Sequence, residues 1–163
     1  MSQAAPSPFD PKQFRNALGR FASGITIVTT HHEGNTYGMT ANAFVSVSMN
    51  PPLVLVSIDH RAAMHAYLPE SKRYGVSILA EGQETLSNHF AGRSVDGLQV
   101  PFVERSGMPL IEGAVAYFVV NVVDAHLAGD HTLYIGEVEY FEAAESLPLL
   151  FYSGRYQQLK PQS

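Results

Sequence analysis

Hydrophobic and polar positions recur at two different periods along this chain, and the changes of period mark its elements. In "FDPKQFRNALGRFASG", Phe14, Leu18 and Phe21 fall at helical spacing. Asp10 stands as an N-cap, Pro11 at the first helical position and Gly24 at the close, so one short amphipathic helix is expected. "ITIVTT" and "YGMTANAFVSVSM" follow as two strands, separated by "HHEGN", whose Gly and Asn suit a hairpin loop. Within the second strand Val45, Val47 and Met49 alternate with Ser46 and Ser48, the period-two mark of a strand with two unlike faces. "PLVLVSI" shows no alternation and reads as a strand covered on both sides.

Further along, "RAAMHAYL" reads as a brief helix stopped by Pro69, "RYGVSILA" as a strand, and "EGQETLSNHFAG" as a helix with Leu86 and Phe90 four apart. "RSVDGLQVPFVERSGMPLI", rich in Gly, Pro and charge, reads as a loop crossing the surface. "AVAYFVVNVVDAHL", "HTLYIGEVEYFEA" and "PLLFYSG" are three strands, the first pair joined through "AGD". About seven strands and three small helices result, in an order that lacks the strict alternation of a doubly wound sheet. A mostly β chain, folded as an antiparallel barrel with short helices at its edges, is expected.

Composition narrows the function. The 163 residues are enough for one ordinary domain, able to bury roughly 70% of the surface its unfolded form exposes. The ends, "MSQAAPSP" and "KPQS", are where disorder is expected. Net charge is −5, and the Lys and Arg residues are scattered, so no nucleic-acid footprint is present. There is no cysteine, hence no disulfide, thiolate nucleophile or iron–sulfur cluster, and a reducing compartment, the cytoplasm, is expected. The N-terminus has no signal-peptide pattern, and the longest apolar stretch, "GAVAYFVVNVV", is too short to span a bilayer, so no membrane association is expected.

Neither a dinucleotide-binding G-x-G-x-x-G nor a G-x-x-x-x-G-K-[ST] phosphate loop occurs, so any nucleotide is bound by another architecture. The seven histidines match no zinc spacing, and no metal ligand is assigned. A strand carrying Thr40 and Asn42 among Gly38, Ala41 and Ala43 lets a flat ligand lie against its backbone while hydroxyl and amide groups meet the ligand's polar rim. The same run also suits an ordinary strand with its polar residues in solvent. In "SIDHRAAMHAY", N–H groups at a helix start beside Arg61 make a seat for phosphate. Alternatively, Asp59 caps the helix and Arg61 is solvated.

Taken in order, "FASGITIVTT", "GMTANAFVSVSMNPPLVLVSI", "AAMHAYL", "YGVSIL", "HFAG", "GDHTLYIGEV" and "LLFYSGRY" resemble the flavin reductase-like family over about residues 12 to 157. That family has the FMN-binding split β-barrel fold, an antiparallel Greek-key barrel. The resemblance is greatest to the small reductase components of two-component flavin-dependent monooxygenases. It implies an NAD(P)H:flavin oxidoreductase that takes FMN or FAD, uses NADH or NADPH as co-substrate and supplies a partner monooxygenase.

On this chain, the resemblance implies that Met39, Thr40, Ala41, Asn42 and Ala43 line the isoalloxazine ring. Ser57, Ile58, Asp59, Arg61 and Ala62 would run along the ribityl chain and phosphate, and Phe90 and Ala91 would border the flavin. "GDH", Gly129 to His131, is the family's nicotinamide-side signature and makes His131 the candidate for positioning the reduced nucleotide, with Tyr156 closing the site. "DHRAAM" departs from the family pattern, which often carries Ser, Thr or Lys in the phosphate loop. A homodimer with the flavin near the subunit boundary is expected. A flavin-binding electron carrier without NAD(P)H turnover, and a barrel domain used only for assembly, are the alternative readings.

Overall fold

The computed structural model describes residue 5 and residues 7–162. The expected disorder of the ends falls partly on residues 1–4, 6 and 163, outside the described residues. Helix α1 spans Pro11–Leu18, and the Asp10 carboxylate accepts the N–H of Lys12 at 2.8 Å. Contrary to expectation it stops at Gly19 rather than Gly24. The Gly19 carbonyl accepts the N–H of Ser153, and Ser23–Gly24 turns outward as the short strand β1.

Strands β2 (Thr26–His32) and β3 (Asn35–Ala41) form the expected hairpin. Its two-residue turn, Glu33–Gly34, has φ of 49° and 77°, the positive pair that matches hairpin twist. The single strand expected over "YGMTANAFVSVSM" is in fact two, β3 and β4 (Phe44–Met49), interrupted at Asn42–Ala43. After them come β5 (Pro52–Asp59), helix α2 (Ala63–Ser71), β6 (Arg73–Ile78) and helix α3 (Glu84–Phe90). The hairpin β7 (Phe102–Arg105) and β8 (Met108–Ile111) precedes the long strands β9 (Ala116–Ala128) and β10 (His131–Ala143). Two short strands, β11 (Leu150–Tyr152) and β12 (Arg155–Gln157), end the described chain.

The main sheet is antiparallel, in the order β3-β2-β6-β9-β10-β5-β4. Strands β3 and β4 therefore occupy its opposite edges, yet only Asn42 and Ala43 separate them in sequence. Three Cα–Cα steps limit the gap between Ala41 and Phe44 to about 11 Å, so the sheet must curl until its edges nearly meet. That is a barrel left split along one seam.

Inside it lie Val28, Val56, Ile58, Tyr74, Val76, Val120 and Tyr134, closed from one side by Met64 and Leu68 of α2. Burying Leu68 completely contributes about 1.5–3 kcal/mol toward holding that helix. Three expectations are corrected. Pro69 lies within α2, which runs on until Lys72 adopts a left-handed φ of 53°. Strand β5 is not covered on both sides, since buried Val54, Val56 and Ile58 alternate with half-buried Leu53, Leu55 and Ser57.

The third concerns the expected surface loop, which contains the β7–β8 hairpin. All four residues of β8 are buried against β2 and β6, because Gly75 leaves room for Leu110 and Met108. The Ser77 hydroxyl accepts the Ile111 N–H at 2.9 Å. Twelve strands are thus present among the described residues, against about seven expected, with "PLLFYSG" placed in a separate sheet of order β1-β11-β12.

Candidate functional site

As an edge strand, β3 bonds only to β2 and leaves its other row of N–H and C=O groups open. Facing that edge are the start of α2 (Ala62, Ala63, Met64) and the end of α3 (Phe90, Ala91). Together with Tyr37, Gly38, Met39 and Thr40 they line a cleft of about 480 Å³. The walls approach closely because Gly38 has no side chain: a Cβ there would stand 2.8 Å from Cε1 of Phe90. The Thr40 hydroxyl donates to the Ser87 carbonyl at 2.6 Å, which ties α3 to the strand and leaves the hydroxyl oxygen free to accept.

A second cleft, about 280 Å³, shares Thr40 and Ala91 with the first and adds Ala41, Asn42, Asn88, Arg93 and Tyr156. Tyr156 donates to Oδ1 of Asn88 at 3.0 Å and meets the Ser87 hydroxyl at 2.9 Å. Its ring therefore anchors α3 to β12 at the cleft wall.

The charged groups gather at the end of β5. Asp59 lies opposite His131 in the β5–β10 register. The Arg61 guanidinium meets the Asp59 carboxylate through Nη2 at 2.7 Å and Nε at 3.1 Å, while the Arg61 backbone N–H bonds Oδ1 at 2.8 Å. Those bonds, the side-chain ones foremost, hold the Asp59 carboxyl well below the usual carboxylate range, and the nearby His131 adds to the effect. Nδ1 of His131 lies 2.7 Å from Oδ1 of Asp130, a hydrogen bond that also lowers the Asp130 carboxyl.

Asp59 does not cap α2. Ala62 occupies the N-cap with no side-chain bond; the His65 N–H already donates to the Ala62 carbonyl at 3.1 Å, which leaves the N–H groups of Ala63 and Met64 for an acceptor. His60 bonds Thr132 at 2.9 Å and His65 bonds Tyr134 at 2.8 Å, with their rings 4.6 Å apart. Among the described residues no group of three or more His, Asp or Glu side chains is placed to hold a metal.

Of the residues singled out from sequence, the structure brings Met39, Thr40, Ala62, Phe90 and Ala91 to one cleft, and Ala41, Asn42 and Tyr156 to its neighbour. Asp59, Arg61 and His131 cluster beside Ala62. That charged group lines neither cleft, and three further residues, Ser57, Ile58 and Ala43, lie outside both. Ile58 is completely buried because the barrel core needs its side chain. Ala43 faces a separate groove with Phe21, Phe44 and Val45, because the chain crosses the seam there. The Ser57 N–H donates to the Ala43 carbonyl at 3.2 Å, fastening that crossing.

Arg93 and Asn88 escaped the sequence reading, although Arg93 stands just beyond "HFAG". The assembled features are an open strand edge, small side chains, an uncapped helix start and an arginine beside it. They fit a flat heterocycle with a polar rim and a phosphate tail.

Comparison with known proteins agrees. Residues 18–160 match the model of the flavin reductase like domain. An NADH-dependent flavin reductase from a Rhodococcus species is 52% identical over 153 residues, covering 92% of this chain and 87% of that protein. The reductase component of a 4-nitrophenol 4-monooxygenase/4-nitrocatechol 2-monooxygenase from Rhodococcus opacus is 36% identical, covering 99% of this chain and 88% of the relative. The solved structure of flavin reductase PheA2 in its native state superposes with a TM-score of 0.92 at 49% identity, covering 94% of this chain and all of that one. The chain belongs to the flavin reductase-like family.

Proposed function

We propose that this chain is an NADH-dependent flavin reductase, working as one domain over about residues 12 to 157, whose reduced flavin supplies a separate monooxygenase component. The observation that carries this reading is the cleft along the open edge of β3, bounded by the uncapped start of α2 and by Phe90 and Ala91. Bound there, a flavin supplies the hydride acceptor for reduced nicotinamide.

The protein's task is alignment. The β3 edge offers donors and acceptors to the heterocycle's rim, Gly38 lets Phe90 close against the strand, and the small side chains of Ala62, Ala63 and Ala91 leave room for a second ring to stack at reacting distance. The first turn of α2 and Arg61 take the phosphate. His131, fixed by Asp130, orients the nicotinamide, and the hydride step needs no proton from it. NADH oxidation that depends on added FMN or FAD supports the reading, whereas bound flavin that NADH leaves oxidised indicates an electron carrier instead.

The working unit in this proposal is a homodimer. In the single chain Phe21 is 86% and Met49 88% exposed, with Phe14, Leu18, Val45 and Val47 also open. Such a spread of apolar surface fits a subunit boundary beside Asn42 and Ala43. A monomeric mass by light scattering contradicts it. The cytoplasm, which supplies NADH, is the proposed compartment.

A further inference from the structure

We propose that Asp59 tunes flavin affinity by competing with the flavin phosphate for Arg61, which keeps the flavin exchangeable. This inference rests on the flavin reading above and extends it to the way the flavin is held and released.

The geometry is specific. Asp59 ends β5 and its carboxylate is fixed by the Arg61 backbone N–H at 2.8 Å, a turn closed within three residues. Both carboxylate oxygens are then engaged by the Arg61 guanidinium, Oδ2 at 2.7 Å and Oδ1 at 3.1 Å. A planar guanidinium presenting that edge to a carboxylate cannot present it to a phosphate as well. The two side chains differ in freedom, since that of Asp59 is 25% exposed and that of Arg61 is 89% exposed. Arg61 can therefore swing while its partner stays in place.

The uncapped turn of α2 begins at the next residue, Ala62, so a phosphate seated there lies within reach of Arg61. It meets an arginine already paired, with a second carboxylate, Asp130, close enough to act on Arg61 electrostatically. The cation that would hold the phosphate is thus shared with the protein's own anions. "DHRAAM" offers no Ser, Thr or Lys to replace it. Such a seat holds flavin weakly and lets it exchange, as a reductase serving a separate oxygenase requires.

The experiment measures Kd for riboflavin and for FMN, by quenching of flavin fluorescence at fixed ionic strength, in the natural protein, Asp59→Asn, Arg61→Gln and the double variant. Riboflavin shares the ring but lacks the phosphate. Asp59→Asn is expected to bind FMN about two- to fivefold more tightly, the range set by an exposed ion pair, with a smaller change for riboflavin. Arg61→Gln is expected to weaken FMN and to abolish the gain from Asp59→Asn. If the natural protein binds both flavins but Asp59→Asn leaves FMN unchanged or weaker, this proposal alone fails. Equal tightening of riboflavin also overturns it, because the effect then bypasses the phosphate. Binding of neither flavin by the natural protein defeats the flavin reading and this proposal with it.

Discussion

Gly38 and Phe90 face each other so closely that the Cβ glycine lacks would lie 2.8 Å from Cε1 of the ring and 3.0 Å from Cδ1. That contact sets the distance between the open edge of β3 and the end of α3, and hence the width of the cleft between them. In Gly38→Ala the ring must yield, and α3 with it. The expected cost is about 1–3 kcal/mol of stability, with weaker flavin binding. Urea denaturation and a flavin titration check both parts, and an unaltered flavin Kd would show that this spacing does not matter.

Thr40 closes the same wall through its bond to the Ser87 carbonyl. Replacing it with Val keeps the shape but leaves that carbonyl without its donor, and Ser87 is buried. A loss of about 1–3 kcal/mol is expected, read as a lower denaturation midpoint.

His131 stands opposite Asp59, at the start of β10, with its ring held by Asp130. In the proposed role it orients the reduced nucleotide, so its loss is expected to disturb that alignment more than the seating of flavin. His131→Ala is expected to lower NADH oxidation roughly ten- to a hundredfold, the scale of a small misplacement of reacting groups, while flavin binding persists. Steady-state kinetics paired with a flavin titration separates the two effects.

Far from the clefts, Glu139 accepts from Arg73 and, at 2.6 Å, from the Asn121 amide. The Arg73 bond, then the Asn121 bond, lowers its carboxyl below the ordinary 4.5. Because the folded value lies below the unfolded one, the unfolded chain binds more protons in the acid range. The stabilisation is present in full above 4.5 and is lost as pH falls through the lowered folded value. Glu139→Gln is expected to flatten part of that acid loss in urea midpoints measured downward from neutral pH. An identical pH slope in the variant would remove Glu139 as a cause.

What the sequence discloses divides along physical lines. The start of α1 was legible because Asp10 and Pro11 act locally, and the β2–β3 and β9–β10 hairpins because Gly-bearing turns separate clear strand runs. The end of α1 was not: Phe21 continues the helical spacing, but Gly19 is bound by Ser153, more than a hundred residues away. Strand β8 was hidden among Gly and Pro because its burial depends on Gly75 and Ser77 of another strand. The Asn42–Ala43 break likewise follows from barrel closure, which no local pattern displays.

The site shows the same division. Small and polar residues near 38–43 suited either a surface for a flat ligand or an ordinary strand, and the structure places Gly38 to Asn42 along two adjoining clefts that Ala62, Phe90, Ala91 and Tyr156, named from the resemblance, also line. Residues with side chains on the far side of β5 or across the seam, Ile58 and Ala43, could be sorted only once the strand's facing was known. The pairing of Arg61 with Asp59 needed coordinates, since a solvated arginine beside a capping aspartate reads identically in sequence.

The most direct test is to mix the purified protein with NADH, without flavin and then with FMN or FAD, and follow nicotinamide absorbance. Rapid oxidation that requires added flavin is the expected result. No oxidation with either flavin, by protein that is folded and binds flavin, would contradict the assignment as a reductase.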